Sequence, residues 1–153
     1  MASRVSIAEC NAQRIRVLLD ADVLIRARQR SGHVELARVL QIERSLRTTA
    51  ATTRWEVLGA RPLVVPADVR KVEDDEAWLR AQTDAVPLGF LEARELALLG
   101  AEPPAVPRAQ ADLGDALLVS FARALRPSPV AIASLNAADF DRFDVPLVSD
   151  FLP

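Results

Sequence analysis

Asp20, Glu56, Asp115 and Asp139 are the side chains of this chain best placed to do chemistry. Asp20 ends the apolar run Val17-Leu18-Leu19 and is followed at once by a second, Val23-Leu24-Ile25. A short apolar run near the chain start reads as an interior strand of a parallel sheet. An acid where such a strand stops lies at the carboxyl edge, where open α/β sheets put their ligands. Burying a carboxylate there is costly unless a cation or a hydrogen-bond donor compensates it.

The other three acids share a setting. Thr53 stands three residues before Glu56, Asp112 before Asp115 and Asn136 before Asp139, each at an expected helix start. Taken singly, each pair resembles a capping box, and an acid in a first turn also suits the helix dipole. Taken together, they point to a site. Strand C-termini and helix N-termini share one edge of a parallel α/β sheet, so the four acids would converge there. Carboxylates at close range raise one another's pKa. Mg²⁺ or Mn²⁺, hard cations that prefer oxygen ligands, would relieve that repulsion. A pair of such ions can hold a phosphodiester and generate hydroxide for in-line attack, with no need of a nucleophilic Ser, Cys or His. What is missing agrees: there is no Cys/His zinc spacing, Walker loop, GxGxxG or GxSxG elbow. His33, the only histidine, follows Ser31-Gly32 and is expected at the surface.

The elements that must position these acids alternate along the chain. The run ending at Leu19 is the first strand, and Asp22 to Arg30 a helix broken by Ser31-Gly32. His33 to Arg44 carries Val34, Ala37, Val39, Leu40 and Ile42 at the spacing of an amphipathic helix. Leu46 to Ala51 suits a second strand, Thr52 to Arg61 a helix, and Pro66 opens another. A short extended piece, Ala85 to Leu88, leads to a helix over Leu91 to Leu99, and Gly100 to Pro107, with three prolines, is loop. Then follow a helix over Leu113 to Leu125, a strand over Val130 to Ala133 and a helical turn near Ala137 to Phe140. Val145 to Val148 is expected as an edge strand because it holds Pro146. This alternation implies an α/β fold, a three-layer α/β/α sandwich with a central mostly parallel sheet.

The bulk numbers fit that reading. A chain of 153 residues, 50% apolar and 26% charged, makes one ordinary globular domain. We read residues 1–14 as a polar N-terminal extension and 15–153 as the domain. No apolar run approaches the ~20 residues that span a bilayer, and no secretory apolar core precedes residue 15. With Cys10 as the only cysteine, no internal disulfide can form, so a cytoplasmic setting is expected. A net charge of −2 argues neither for nor against a nucleic-acid partner. Lys71 is the one lysine among 19 basic residues. That arginine excess reflects either base composition or the phosphate-matching fork of the guanidinium. Arg26, Arg28, Arg30 and Arg54 lie close to the acids in sequence; they are either phosphate contacts or helix-surface charges paired with Glu35, Glu43 and their neighbours. Trp55 and Trp78 read as packing or interface anchors.

Four segments, in order, resemble the PIN domain family and, within it, the VapC-like ribonuclease toxins of bacterial toxin–antitoxin pairs. Leu18-Leu19-Asp20-Ala21-Asp22-Val23-Leu24-Ile25 is similar to the opening motif, an apolar strand, Asp, any residue, Asn or Asp, then Val-Leu-Ile. Thr53-Arg54-Trp55-Glu56-Val57-Leu58-Gly59 resembles Thr-x-x-Glu-Leu-x-x-Gly, and Asp115 to Ala122 the Asp-Ala-Leu-Ile-Ala-x-x-Ala helix. Ser134-Leu135-Asn136-Ala137-Ala138-Asp139-Phe140 is similar to Thr-x-Asn-x-x-Asp-Phe, with Ser134 in place of Thr and Asn136 where some members carry Asp. The resemblance implies a PIN-like domain over residues 15–153 and a metal-dependent endoribonuclease. Asp20, Glu56, Asp115 and Asp139 would be its acidic centre, with Mg²⁺ or Mn²⁺ held by Asp20, Glu56 and Asp115 and the shell completed by Asn136 or Asp139. It further implies an RNA substrate, a cognate antitoxin protein and a homodimer. An antitoxin segment could lie on apolar faces around Val34 to Ile42 and Trp55.

Two other readings compete. In a non-catalytic PIN-like module the arginines would bind RNA or protein and the acids would be caps. In a haloacid-dehalogenase-like phosphatase Asp20 would be the nucleophile and Asp22 the acid/base. That chemistry also wants a lysine and a later acid pair at a strand end, whereas Lys71 and Asp74-Asp75 fall in a helical pattern.

Overall fold

Val17, Leu18 and Leu19 have no solvent exposure, and they can all be buried because both faces of their strand are covered. The computed structural model describes residues 2–59, 66–101 and 113–153. It contains strands β1 (Arg4–Val5), β2 (Arg16–Leu19), β3 (Arg47–Ala50), β4 (Asp84–Val86), β5 (Val130–Ala133) and β6 (Leu147–Val148). Its helices are α1 (Ile7–Gln13), α2 (Ala21–Ala27), α3 (His33–Gln41), α4 (Ala51–Arg54), α5 (Pro66–Gln82), α6 (Phe90–Ala101) and α7 (Leu113–Ala124). The strands form one six-stranded sheet in the order β1-β6-β5-β2-β3-β4, and every pairing is parallel.

Successive strand residues point to opposite faces, and two separate cores follow from that alternation. Val17, Leu19, Ala131 and Ala133 pack with Ile7 and Cys10 of α1, Val23 and Leu24 of α2, and Val39 of α3. Leu18, Val130 and Ile132 pack with Leu118, Val119 and Phe121 of α7 and with Phe140. The fold is therefore the expected three-layer α/β/α sandwich.

Several local expectations are corrected. The last strand is internal, lying between β1 and β5, and the edge on that side is β1. Pro146 is tolerated because it precedes the strand and only its carbonyl is used, accepting from Ile132 N at 2.9 Å. Residues 4–13 are a strand and a helix, the helix opened by a capping box between Ser6 and Glu9. The helix expected from Thr52 starts at Ala51 and passes at Trp55 into a π-helical turn that runs to Gly59. Its expected end at Arg61, residues 102–107 of the proline-rich loop, and Asp112 lie outside the described residues. No described helix is long and apolar enough to cross a membrane.

Candidate functional site

The chain runs from β2 outward to β3 and β4, then returns to place β5 on the other side of β2. That reversal makes the β2/β5 boundary the switch point of the sheet, where a crevice opens beyond the strand ends. Leu19 is in register with Ala133, and Asp20 N donates to Ala133 O at 2.9 Å. Asp20 and Ser134 thus leave the sheet side by side.

Asp20 is the N-cap of α2, and its Oδ1 accepts from Ala21 N at 2.7 Å. Its carboxyl is pushed up to about 7, first by burial and then by the negative charge of Asp22, with a further contribution from Asp115. Hydrogen bonds from Ala21 N and the Ser134 hydroxyl act in the opposite direction. Asp22 belongs to the first turn of α2. Its Oδ2 accepts from Ser134 Oγ at 3.2 Å and from Leu135 N at 3.1 Å, while its buried Oδ1 has no hydrogen-bond partner among the described residues. Burial raises its carboxyl too, and the charge of Asp139 adds to this. Ser134 has a single hydroxyl proton to offer two carboxylates, so the pair is undersupplied with donors.

Asp115 sits half-buried in the first turn of α7. Asp139 closes a short 3₁₀ turn, Ala137–Asp139, and its Oδ2 accepts from Asn136 Nδ2 at 2.8 Å. This acid takes the side-chain amide of Asn136, not the backbone N–H a capping box would supply. Glu56 is not a first-turn acid either: α4 starts at Ala51, and Thr53, expected as a cap, is buried inside it. The π turn presents Glu56 exposed at a cleft of about 460 Å³ whose walls include Trp55, Leu88, Gly114 and Leu117. Such turns occur often at functional sites. Gly114 immediately precedes Asp115, so Glu56 and the start of α7 border one opening.

The structure thus gathers Asp20, Asp22, Asp115 and Asp139 within electrostatic reach at one sheet edge, in the pairs Asp20–Asp22, Asp20–Asp115 and Asp22–Asp139. Among the described residues no three acids are already set at ligand distance around one point. Asp22 and Ser134 are the participants that sequence reasoning left out of the site. The available signal was an acid two residues beyond Asp20, on the same first turn. The donor set fits a divalent cation: oxygens only, mutually repelling, with one buried carboxylate oxygen orphaned.

The arginines serve other ends. Arg54 Nη1 donates to Thr49 O at 2.7 Å and Val86 O at 3.3 Å, tying together the ends of β3 and β4. Arg28 stacks 5.2 Å from the Trp78 ring and donates to Asp75 Oδ1 at 2.9 Å. Lys71 donates to the same oxygen at 2.7 Å, so the lysine and acid that a phosphatase would need are joined within α5. His33 is exposed, as expected. Of the proposed apolar groove, Val34, Leu40 and Trp55 are exposed, whereas Val39 and Ile42 belong to the core.

Comparison with protein-family models and with curated proteins found no match for this chain.

Proposed function

We propose that the protein is a divalent-cation-dependent endoribonuclease of the PIN-like type, acting as the toxin of a type II toxin–antitoxin pair in the cytoplasm. The observation that carries the reading is the Asp20–Asp22 pair at the sheet's switch point, buried and short of donors, with Asp115 and Asp139 acting on it. The resemblance of four ordered segments to the PIN family supports it. Asp20, Glu56 and Asp115 are the residues that would hold Mg²⁺ or Mn²⁺, with Asn136 or Asp139 behind them.

When bound, such a cation polarises a phosphodiester and lowers the pKa of a water. Asp20 contributes an oxygen that α2 and β5 fix in place, because its backbone N–H and its Oδ1 are both committed. Glu56 is exposed at the cleft mouth, on the side from which substrate would enter. Exposed Trp55 and Leu88 give that cleft apolar walls. In the complete system the same exposed residues would meet the antitoxin, and a second copy of the chain would complete the dimer.

Incubation of the purified chain with total RNA, with Mn²⁺ or with EDTA, tests the reading. We expect cleavage only with the cation, and none from Asp20→Asn. RNA binding without cleavage in every condition would instead establish the non-catalytic module.

A further inference from the structure

We propose that Asp22, and neither Asp139 nor Asn136, supplies the fourth oxygen ligand of the cation site. The inference rests on the nuclease reading and deepens it. Asp22 is held by the end of β5: Ser134 Oγ and Leu135 N both donate to its Oδ2. With that oxygen fixed, Oδ1 is left buried and without a hydrogen-bond partner among the described residues. A buried carboxylate oxygen in that condition costs stability unless something positive reaches it. Among the described residues no side chain reaches that oxygen. The carboxylate is otherwise eased only by the backbone N–H groups of Leu135 and Val23 and by Ser134, and the strongest charge acting on the neighbouring Asp20 is Asp22 itself.

The competing residues are engaged with each other. Asp139 Oδ2 accepts the Asn136 side-chain amide at 2.8 Å, and Asn136 is exposed. Asn136 adds no negative charge where some PIN domains have an acid, and Asp22 makes up the missing charge from the first turn of α2.

Asp22→Asn separates a ligand from a scaffold. Asparagine keeps an oxygen for Ser134 and Leu135 N, and puts an amide donor where the orphaned oxygen was. The folded chain in EDTA should therefore melt at the wild-type temperature or above it. Its dissociation constant for Mn²⁺, measured by calorimetry, should weaken at least about tenfold, more than for Asp139→Asn. A loss below tenfold, or a larger loss from Asp139→Asn, overturns the proposal while leaving the nuclease reading standing. Wild-type protein that binds no Mn²⁺ removes both.

Discussion

The backbone N–H of Asp20 donates to the carbonyl oxygen of Ala133 at 2.9 Å, carrying the β2–β5 ladder one step beyond the last apolar pair. Everything distinctive about the site follows from that step. It fixes Asp20 beside Ser134, and the first turn of α2 then sets Asp22 against Ser134 Oγ and Leu135 N. The ladder is short, but both strands are buried on both faces, so a slip of one residue would turn Val17 and Leu18 toward the wrong cores.

Asp20 makes stability depend on pH in an unusual direction. In the folded chain it keeps its proton up to about 7, whereas an unperturbed aspartate releases it near 3.8. Between those values the folded state binds more protons than the unfolded one, so this group's contribution falls as pH rises through the window. Melting in EDTA should therefore show a lower Tm at pH 8 than at pH 5. Asp20→Asn keeps the helix cap and removes the charge, so its curve should be flatter and lie above wild type at pH 8. A net cost of about 2 kcal/mol corresponds to about 4–8 °C in a chain of this size. A wild-type Tm that climbs between pH 5 and 8 would contradict this account, unless Asp20→Asn climbs in parallel and so assigns the trend to other groups.

Ser134 should be worth more at high pH than at low. Its buried hydroxyl donates to Asp22 Oδ2 and accepts from Asn136 N, both at 3.2 Å. Ser134→Ala strands those groups at a cost of about 1–3 kcal/mol. The loss should be larger at pH 8 than at pH 5, because the hydroxyl favours the ionised form of both the Asp20 and Asp22 carboxyls. Ser134→Thr should restore most of it, since the hydroxyl returns. Urea melts of the three proteins at the two pH values measure this directly.

The parts of the fold that were legible in the sequence are those whose burial is complete. Val130–Ala133 has its expected bounds because a strand covered on both faces is a continuous apolar run. α7 was equally plain, since Leu118, Val119, Phe121 and Ala122 pack on the sheet at helical spacing. β1 was not, because a strand of two residues has no periodicity to detect. Nor was the π turn at Trp55, because it spans too few residues to shift the period of the side-chain pattern. Asp22, read as part of the opening motif and as the acid/base of the phosphatase alternative, was left out of the acidic centre for a chemical reason. An acid in a first helical turn is ordinary, and only the position of Ser134 and Leu135 shows that one of its oxygens is stranded.

Gly32 is required by crowding, not by its backbone angles. Its φ of −98° is open to any residue, but an added Cβ would fall 1.6 Å from the carbonyl oxygen of Arg26. The neighbour is backbone at the end of α2, so it cannot step aside as a flexible side chain would. Gly32→Ala must push α2 and α3 apart, at a cost of about 1–3 kcal/mol. A urea midpoint unchanged by this substitution would mean the two helices separate freely.

Asp75 is the residue whose loss should damage the fold without touching the acidic site. Its side chain is only 1% exposed, yet it is ionised and receives Arg28 Nε at 2.9 Å and Lys71 Nζ at 2.7 Å on one oxygen. Burial alone would raise its carboxyl; the hydrogen bonds and charges of Lys71 and Arg28 more than reverse this and hold it below the usual range. Its contribution is therefore complete above about pH 4 and is lost as pH falls below that. Asp75→Ala removes the anion that α5 offers to α2 and leaves the Arg28 guanidinium over Trp78 without its counter-charge. Breaking a buried pair in this way costs about 3–5 kcal/mol, and the lower end is expected here because both cations are partly exposed. Asp75→Asn retains an acceptor oxygen and should lose less. Mn²⁺ affinity, read by calorimetry below the melting range, should be the same in all three proteins. That result would separate the clamp that joins α2 to α5 from the carboxylates at the other end of α2.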